Sequence, residues 1–287
     1  MVLPTSTLAP PGAPPRTAHL PGWAGEFFLV AGLTAGALAI RLPHLMLVPG
    51  FSDEYKEMLV SFEVARGARF PLVSTQCYLG SFFNYLLGAI FLLFGPSFTA
   101  ARMTVTVLGA LTVPLAYWLG KETEDRPTGV ATALLMLTSF THITNGHIAW
   151  VNCTTPFFAT GAFLLFTLAL KRSSGRLLVA AGFCYGLALQ THPTTLPAAP
   201  ALALAFLHAG LFPRSADRST PLRIWLRSPW PYAALLAAVL AYGNVIAYNV
   251  LHPTAAGRST GRTTRISWPT VASVPTSWDS RAGAPSS

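Results

Sequence analysis

Residues 98 to 119 read FTAARMTVTVLGALTVPLAYWL, a run whose one Asp, Glu, Lys or Arg is Arg102, closed just beyond by Lys121. A helix crossing a hydrocarbon core about 30 Å thick needs roughly 20 predominantly apolar residues. This run meets that need, and the same reading applied outward from it organises the whole chain.

Charged residues make up 10% of the 287 and hydrophobic ones 52%, with a mean hydropathy of +0.49. An ordinary soluble domain carries about 25% charged residues, so a soluble globule is excluded. Upstream, Trp23 to Ile40 forms a first crossing stopped by Arg41 and Pro43, and Tyr78 to Phe94 is an apolar stretch interrupted by Asn84 and closed by Gly95-Pro96. Downstream come Thr128 to Asn145, Thr154 to Leu170, Leu177 to Leu189, Leu196 to Phe212 and Trp230 to Val250. Residues 1 to 22, with six prolines, read as a disordered leader. Residues 251 to 287 are rich in Ser, Thr, Pro, Gly and Arg, a composition that cannot bury a core. That change suggests a truncated or frameshifted copy. The expected domains are therefore 1–22, 23–250 and 251–287.

Charge sets the orientation. The connections Lys121 to Arg126, Lys171 to Arg176 and Arg214 to Arg227 hold two, three and four Lys or Arg, whereas His142 to Asn152 and Gln190 to Thr195 hold none. Cytoplasmic loops collect Lys and Arg, so the first group is expected inside and the second outside. Residues 98 to 119 then start outside. If Tyr78 to Phe94 lies along the interface, its seventeen residues being marginal for a span, the loop His44 to Gln76 is outside as well. The expected fold is an all-α polytopic transmembrane bundle of about seven crossings, with two amphipathic surface helices in the first outer loop.

The net charge of +9 sits between apolar runs and reads as a topology signal, so nucleic acid is not expected as a partner. Cys77, Cys153 and Cys184 have no metal-ligand spacing and, being odd in number, form no complete disulfide framework. No acid and histidine cluster suggests a metal, no Gly-rich phosphate loop is present, and Asn152-Cys153-Thr154 matches a glycosylation sequon by chance.

The first outer loop carries the densest polar sequence, Ser52-Asp-Glu-Tyr-Lys-Glu-Met-Leu-Val-Ser-Phe-Glu-Val-Ala-Arg-Gly67. Tyr55, Met58, Leu59, Phe62 and Ala65 recur at helical spacing, which predicts a short amphipathic helix with Ser52 as N-cap and Gly67 as its stop. Asp53 and Glu54 would complement the helix dipole. Two adjacent carboxylates at the mouth of a membrane cavity also offer a general base and a partner.

Arg41-Leu-Pro, Ser52-Asp53-Glu54, Gly67, Leu93-Phe94-Gly95 and Ala101-Arg102, with Gly109 and Pro114 beyond, resemble in order the start of the GT-C membrane glycosyltransferases. The nearest branch is glycosyltransferase family 39, of protein O-mannosyltransferases and the lipid A aminoarabinose transferase. The likeness spans Arg41 to Phe212. It implies two surface helices in the first outer loop, a polyprenyl-phosphate sugar as donor, inversion at the anomeric carbon, and a catalytic acid after the first crossing. That acid is Asp53 here, with Glu54 beside it. An acceptor protein, lipid or glycan would lose its proton to Asp53, and the leaving lipid phosphate needs donors or cations nearby. Arg102, His147, Asn152 and His192 are the candidates, against plain readings as a snorkelling arginine and solvated loop residues. Trp150 reads as an interface anchor. The family's Lys-Pro-Pro or His-Pro-Pro is replaced by Gln76-Cys77-Tyr78-Leu79, and a Lys common after Gly186-Leu-Ala-Leu189 is replaced by the segment leading to His192. No cofactor is expected, and the compartment would be a bacterial inner membrane with the site facing outward. The rival readings are a transporter or flippase, for which no internal repeat is found, and an inactive fragment.

Overall fold

A computed structural model describes residues 22–212 and 220–253. Residues 1–21 of the expected leader, the Arg214–Arg218 part of the third basic connection and nearly all of the expected tail lie outside the described residues. Within them the chain forms twelve α-helices and no strand: α1 Gly22–Arg41, α2 Ser52–Ala65, α3 Phe82–Phe94, α4 Phe98–Thr123, α5 Arg126–Thr138, α6 Phe140–Asn145, α7 Thr155–Lys171, α8 Gly175–Thr191, α9 Ala198–Leu211, α10 Leu222–Arg227, α11 Trp230–Ala241 and α12 Gly243–Leu251. Helix α4 is central, packing on α1, α5 and α7; α7 packs on α8 and α8 on α11.

The outward surface is that of an integral membrane protein. Phe27, Phe28, Leu92, Leu93, Phe94, Leu135, Leu235 and Leu240 are exposed large apolar side chains on helices, which only a lipid solvent accommodates in such density. By length and apolarity α1, α4, a unit from Val151 to Lys171 and a unit from Pro193 to Leu211 each suffice to cross, and the α11–α12 pair, bent by 57°, is a fifth if its two helices form one span. The expected count of seven also includes α5 with α6, and α8. Thr128 to Asn145 is not one helix: the chain turns extended at Ser139, whose hydroxyl caps α6 by accepting from the His142 N–H. Helix α8, at 17 residues, is short.

The connections sort themselves by charge. At one end Glu26 of α1 pairs with Lys121 and Arg126, and Glu122 faces Lys171 and Arg172. At the other, Arg102 reaches Leu45 and Val48, and Gly80 donates to Gln190. We refer to these as the basic end and the charge-poor end. Both termini of α3 lie at the charge-poor end, since Gly80 and Phe82 bond to Gln190 while Gly95 is followed at once by α4, whose Arg102 bonds to Glu54. Thirteen residues also rise only about 20 Å. Helix α3 therefore lies on the bundle instead of traversing it, and Tyr78 to Ser81, expected within it, belong to the preceding loop.

Close helix approach explains a stripe of small residues. A Cβ on Gly182 would sit 2.1 Å from the Ala234 carbonyl oxygen, and one on Gly186 2.4 Å from that of Ala238. Two glycines four apart let the α8 and α11 backbones touch, the packing available when no hydrophobic effect drives helices together in lipid.

Candidate functional site

Helix α2 positions the acidic pair. Phe51 is extended, with φ −129° and ψ 166°, and occupies the cap position without a side-chain bond; Ser52, expected as the N-cap, is instead the first helical residue. The stop at Gly67 is as expected. With φ +68° it takes the left-handed conformation that glycine adopts without cost, its N–H bonding to Val64 O and that of Ala68 to Glu63 O.

The buried face of α2 is the polar one. Glu54, Glu57, Val60 and Ser61 are buried at helical spacing, whereas Tyr55 is exposed and Met58, Phe62 and Ala65 are only partly covered against the apolar cluster of Leu79, Phe83 and Leu87. The helix thus turns Glu54 and Glu57 inward and covers its apolar stripe only in part.

Glu54 is fully buried, and its two oxygens accept from Arg102 Nε and Nη2 at 2.8 Å each. Oε1 also accepts from the Ala149 N–H at 3.0 Å. Arg102 Nη1 donates to the Leu45 and Val48 carbonyls at 3.2 and 2.8 Å. One bidentate pair therefore ties together α2, α4, the segment after α1 and the connection after α6. Asp53, its neighbour in sequence, diverges from it: its side chain is partly exposed and accepts from Lys56 Nζ at 2.9 Å.

Glu57, one turn on, has no basic partner among the described residues. Its Oε2 accepts from Ser74 Oγ and Asn84 Nδ2, both at 2.6 Å, and its Oε1 from Thr75 Oγ1 at 3.3 Å. Burial pushes its carboxyl above the usual carboxylate range, against the pull of the Ser74, Asn84 and Thr75 hydrogen bonds, and the charge of Asp53 adds to the rise. The sequence reading passed over Glu57. The available signal was an acid three residues after Glu54 and four before Ser61, together with a lone Asn84 inside an apolar run.

The two histidines between α5 and α7 are not solvated. His142 and His147 are buried. His142 Nδ1 accepts from Arg41 Nη2 at 3.0 Å, and His147 Nε2 donates to the Arg41 carbonyl at 2.8 Å. Burial, and then the Arg41 charge, push His142 down to about 4. Arg41, expected only as the stop of α1, is completely buried and donates to Ala37 O, while its Nε has no partner. Asn152 lies in a 3-10 turn, Val151–Thr154, and its buried Oδ1 has no partner either. Trp150 packs edge-on to Phe51.

His192, just after α8, hydrogen-bonds instead within its own turn. Its Nδ1 accepts from the Thr194 N–H at 3.2 Å and meets Thr194 Oγ1 at 2.9 Å, its ring lies edge-on to Tyr78, and partial burial lowers its pKa. The expected site residues thus fall into a group around Glu54 and Arg102, a neighbouring group of His147 with Arg41, and a separate His192. Among the described residues no group of three or more His, Cys, Asp or Glu could hold a metal ion.

A family model described as dolichyl-phosphate-mannose-protein mannosyltransferase matches residues 80–248. The match covers more than half the chain and includes Arg102, His147, Asn152 and His192, while α2 with its four carboxylates lies before it. No curated protein matches the chain.

Proposed function

The chain belongs to the dolichyl-phosphate-mannose-protein mannosyltransferase family of GT-C membrane glycosyltransferases, and from that premise we propose that it moves a sugar from a polyprenyl-phosphate carrier to an acceptor on the outer face of a membrane, with inversion and with Asp53 as base. The observation that carries the choice of base is exposure. Glu54 is fully buried in its bond to Arg102 and Glu57 in its cage of hydroxyls and amide, whereas Asp53, on the same turn, keeps a carboxylate that is 33% exposed. An acceptor hydroxyl can reach it and lose its proton there as the oxygen attacks the anomeric carbon.

Glu54 then supports Asp53 through the backbone, by fixing the first turn of α2 to α4. Each nitrogen of Arg102 already has an acceptor, so its part toward the leaving phosphate is that of a fixed positive charge. The Asn152 Oδ1, buried and without a partner among the described residues, is the acceptor we assign to a sugar hydroxyl, which the side chain must turn to reach, and the buried His147 lies at the same end. His192, its Nδ1 engaged by Thr194, would turn Nε2 to the phosphate. The orientation follows the loop charges, placing the charge-poor end on the outside; a bacterial inner membrane is the compartment we assign. Mannose is the first sugar to try, and the acceptor is a protein, lipid or glycan.

The test is transfer by the purified chain in liposomes from a polyprenyl-phosphate mannose donor. A positioned base contributes about 10²- to 10⁴-fold, so Asp53→Asn should lower turnover by about a hundredfold or more while the donor is still bound. Turnover unchanged in Asp53→Asn would remove the base. Failure of the wild-type chain to use any polyprenyl-phosphate sugar would remove the donor.

A further inference from the structure

Helix α2 is held at two points, and only the first has a place in the proposal above. The Glu54–Arg102 pair anchors its start to α4. A single anchor leaves a helix free to pivot about it, and α2 has a second one turn later in Glu57.

The second anchor is built from costly parts. Asn84 is buried in the middle of α3, an otherwise apolar helix, and Ser61, Ser74 and Glu57 are buried around it. Burying each polar group without a partner would cost a few kcal/mol. Here the groups satisfy one another except at Asn84 Oδ1, which is buried without a partner among the described residues: Asn84 Nδ2 donates to Glu57 Oε2 and approaches Ser61 Oγ at 3.3 Å, while Ser74 and Thr75 bring in the loop between α2 and α3. That loop is closed on itself by the Ser74 N–H to Leu79 O bond and is joined to α8 through Gly80. A leucine in place of Glu57 would dock α2 on α3 as firmly but with no fixed register, because apolar contact is non-directional. Three short-range donors converging on one carboxyl set both rotation and height.

We propose that Glu57 is a positioning residue: by fastening the 72–81 loop and α3 to the buried face of α2, it fixes the turn that presents Asp53. Asp53 and Glu57 are four residues apart and so share a side of the helix, which makes a rotation permitted at one a displacement of the other. Glu57 itself is completely buried, so it acts through what it holds in place. All of its partners are neutral, and Thr75 Oγ1, a hydroxyl, can donate to a carboxylate or accept from a carboxylic acid. An amide at position 57 can reproduce the arrangement, accepting from Ser74 and Asn84 and donating to Thr75.

This inference rests on the Asp53 assignment for its consequence in turnover, but not for its structural part. The experiment uses the full chain in liposomes with two readouts, hydrogen exchange over residues 72–81 and transfer from the polyprenyl-phosphate mannose donor. Loss of one buried hydrogen-bonded group is worth about tenfold or more. Glu57→Ala should speed exchange in the loop by about tenfold and lower kcat by about tenfold, leaving the donor KM within about twofold. Glu57→Gln should stay within about twofold of wild type in all three, and Asn84→Ala, which removes one donor only, should fall between. Should Glu57→Ala not accumulate, Asn84→Ala against Glu57→Gln carries the same comparison. The proposal is overturned if exchange is unchanged in the truncated variants, if an active enzyme keeps its kcat with the loop loosened, or if Glu57→Gln is as impaired as Glu57→Ala. If the wild-type chain transfers nothing yet the loop loosens as expected, the donor reading fails and the fastening role stands.

Discussion

The two ends of the bundle use charge in opposite ways. At the basic end Glu26, Lys121 and Arg126 form a cluster with the hydroxyl of the buried Tyr117, and Glu122 faces Lys171 and Arg172 at 3.9 and 4.0 Å; the charged side chains are partly or largely open to water, Arg172 at 63%. At the charge-poor end Arg41, Glu54, Glu57 and Arg102 are all at or below 3% exposure, and their partners are backbone carbonyls, a backbone N–H, hydroxyls and one another. Few charges deeply buried demand fixed geometry, whereas many charges near water demand only the right sign. The charge-poor end has the fixed geometry that a site requires, and the basic end has the charge bias that orients a chain in a membrane.

The largest break in that comparison is Arg102→Ala. It leaves Glu54 buried without its counter-charge, a loss of about 3–5 kcal/mol for a buried pair, and thermal unfolding in detergent should show a drop of that size. Arg102→Lys should recover little, because an ammonium cannot match the two-pronged contact.

Acidification comes next. His142 is neutral in the fold, with its pKa pushed down from 6.5 to about 4. Between those values the unfolded chain binds a proton that the folded chain does not, so stability falls as pH drops through the window and levels off below it. The full effect is on the order of 3 kcal/mol. Unfolding midpoints measured from pH 7 to pH 4 should show it, and His142→Gln should flatten the dependence.

Smaller effects belong to the basic end. Glu26→Gln keeps an acceptor for Tyr117 but loses its attraction to Lys121 and Arg126, a change of about 1 kcal/mol or less at partly exposed positions. Lys171→Ala should be smallest, a few tenths of a kcal/mol, and 1 M salt should erase it. A basic-end substitution as damaging as Arg102→Ala would collapse the distinction.

What could be read in the sequence follows the same division. The apolar runs and loop charges located the helices and sorted the two ends, because lipid burial and Lys/Arg bias are local properties of composition. The stop at Gly67 was legible for the same reason. The buried face of α2 was not, since apolar periodicity points to Tyr55, Met58 and Phe62, and the residues that make Glu54 and Glu57 tolerable inside lie at 74, 84, 102 and 149. His142 and His147 looked like loop residues because Arg41, more than a hundred positions away, is what buries them. The break at Ser139 and the bend between α11 and α12 hid inside runs whose composition alone is that of one helix.

The claim on which the rest depends is that the charge-poor end faces away from the cytoplasm. In a background with Cys77, Cys153 and Cys184 replaced, single cysteines at Asp53 and at Glu124, between α4 and α5, can be exposed to an impermeant thiol reagent on intact cells. The account predicts labelling at position 53 without permeabilisation and at position 124 only after it. Labelling at 124 from outside, with 53 protected until the cells are opened, would contradict it.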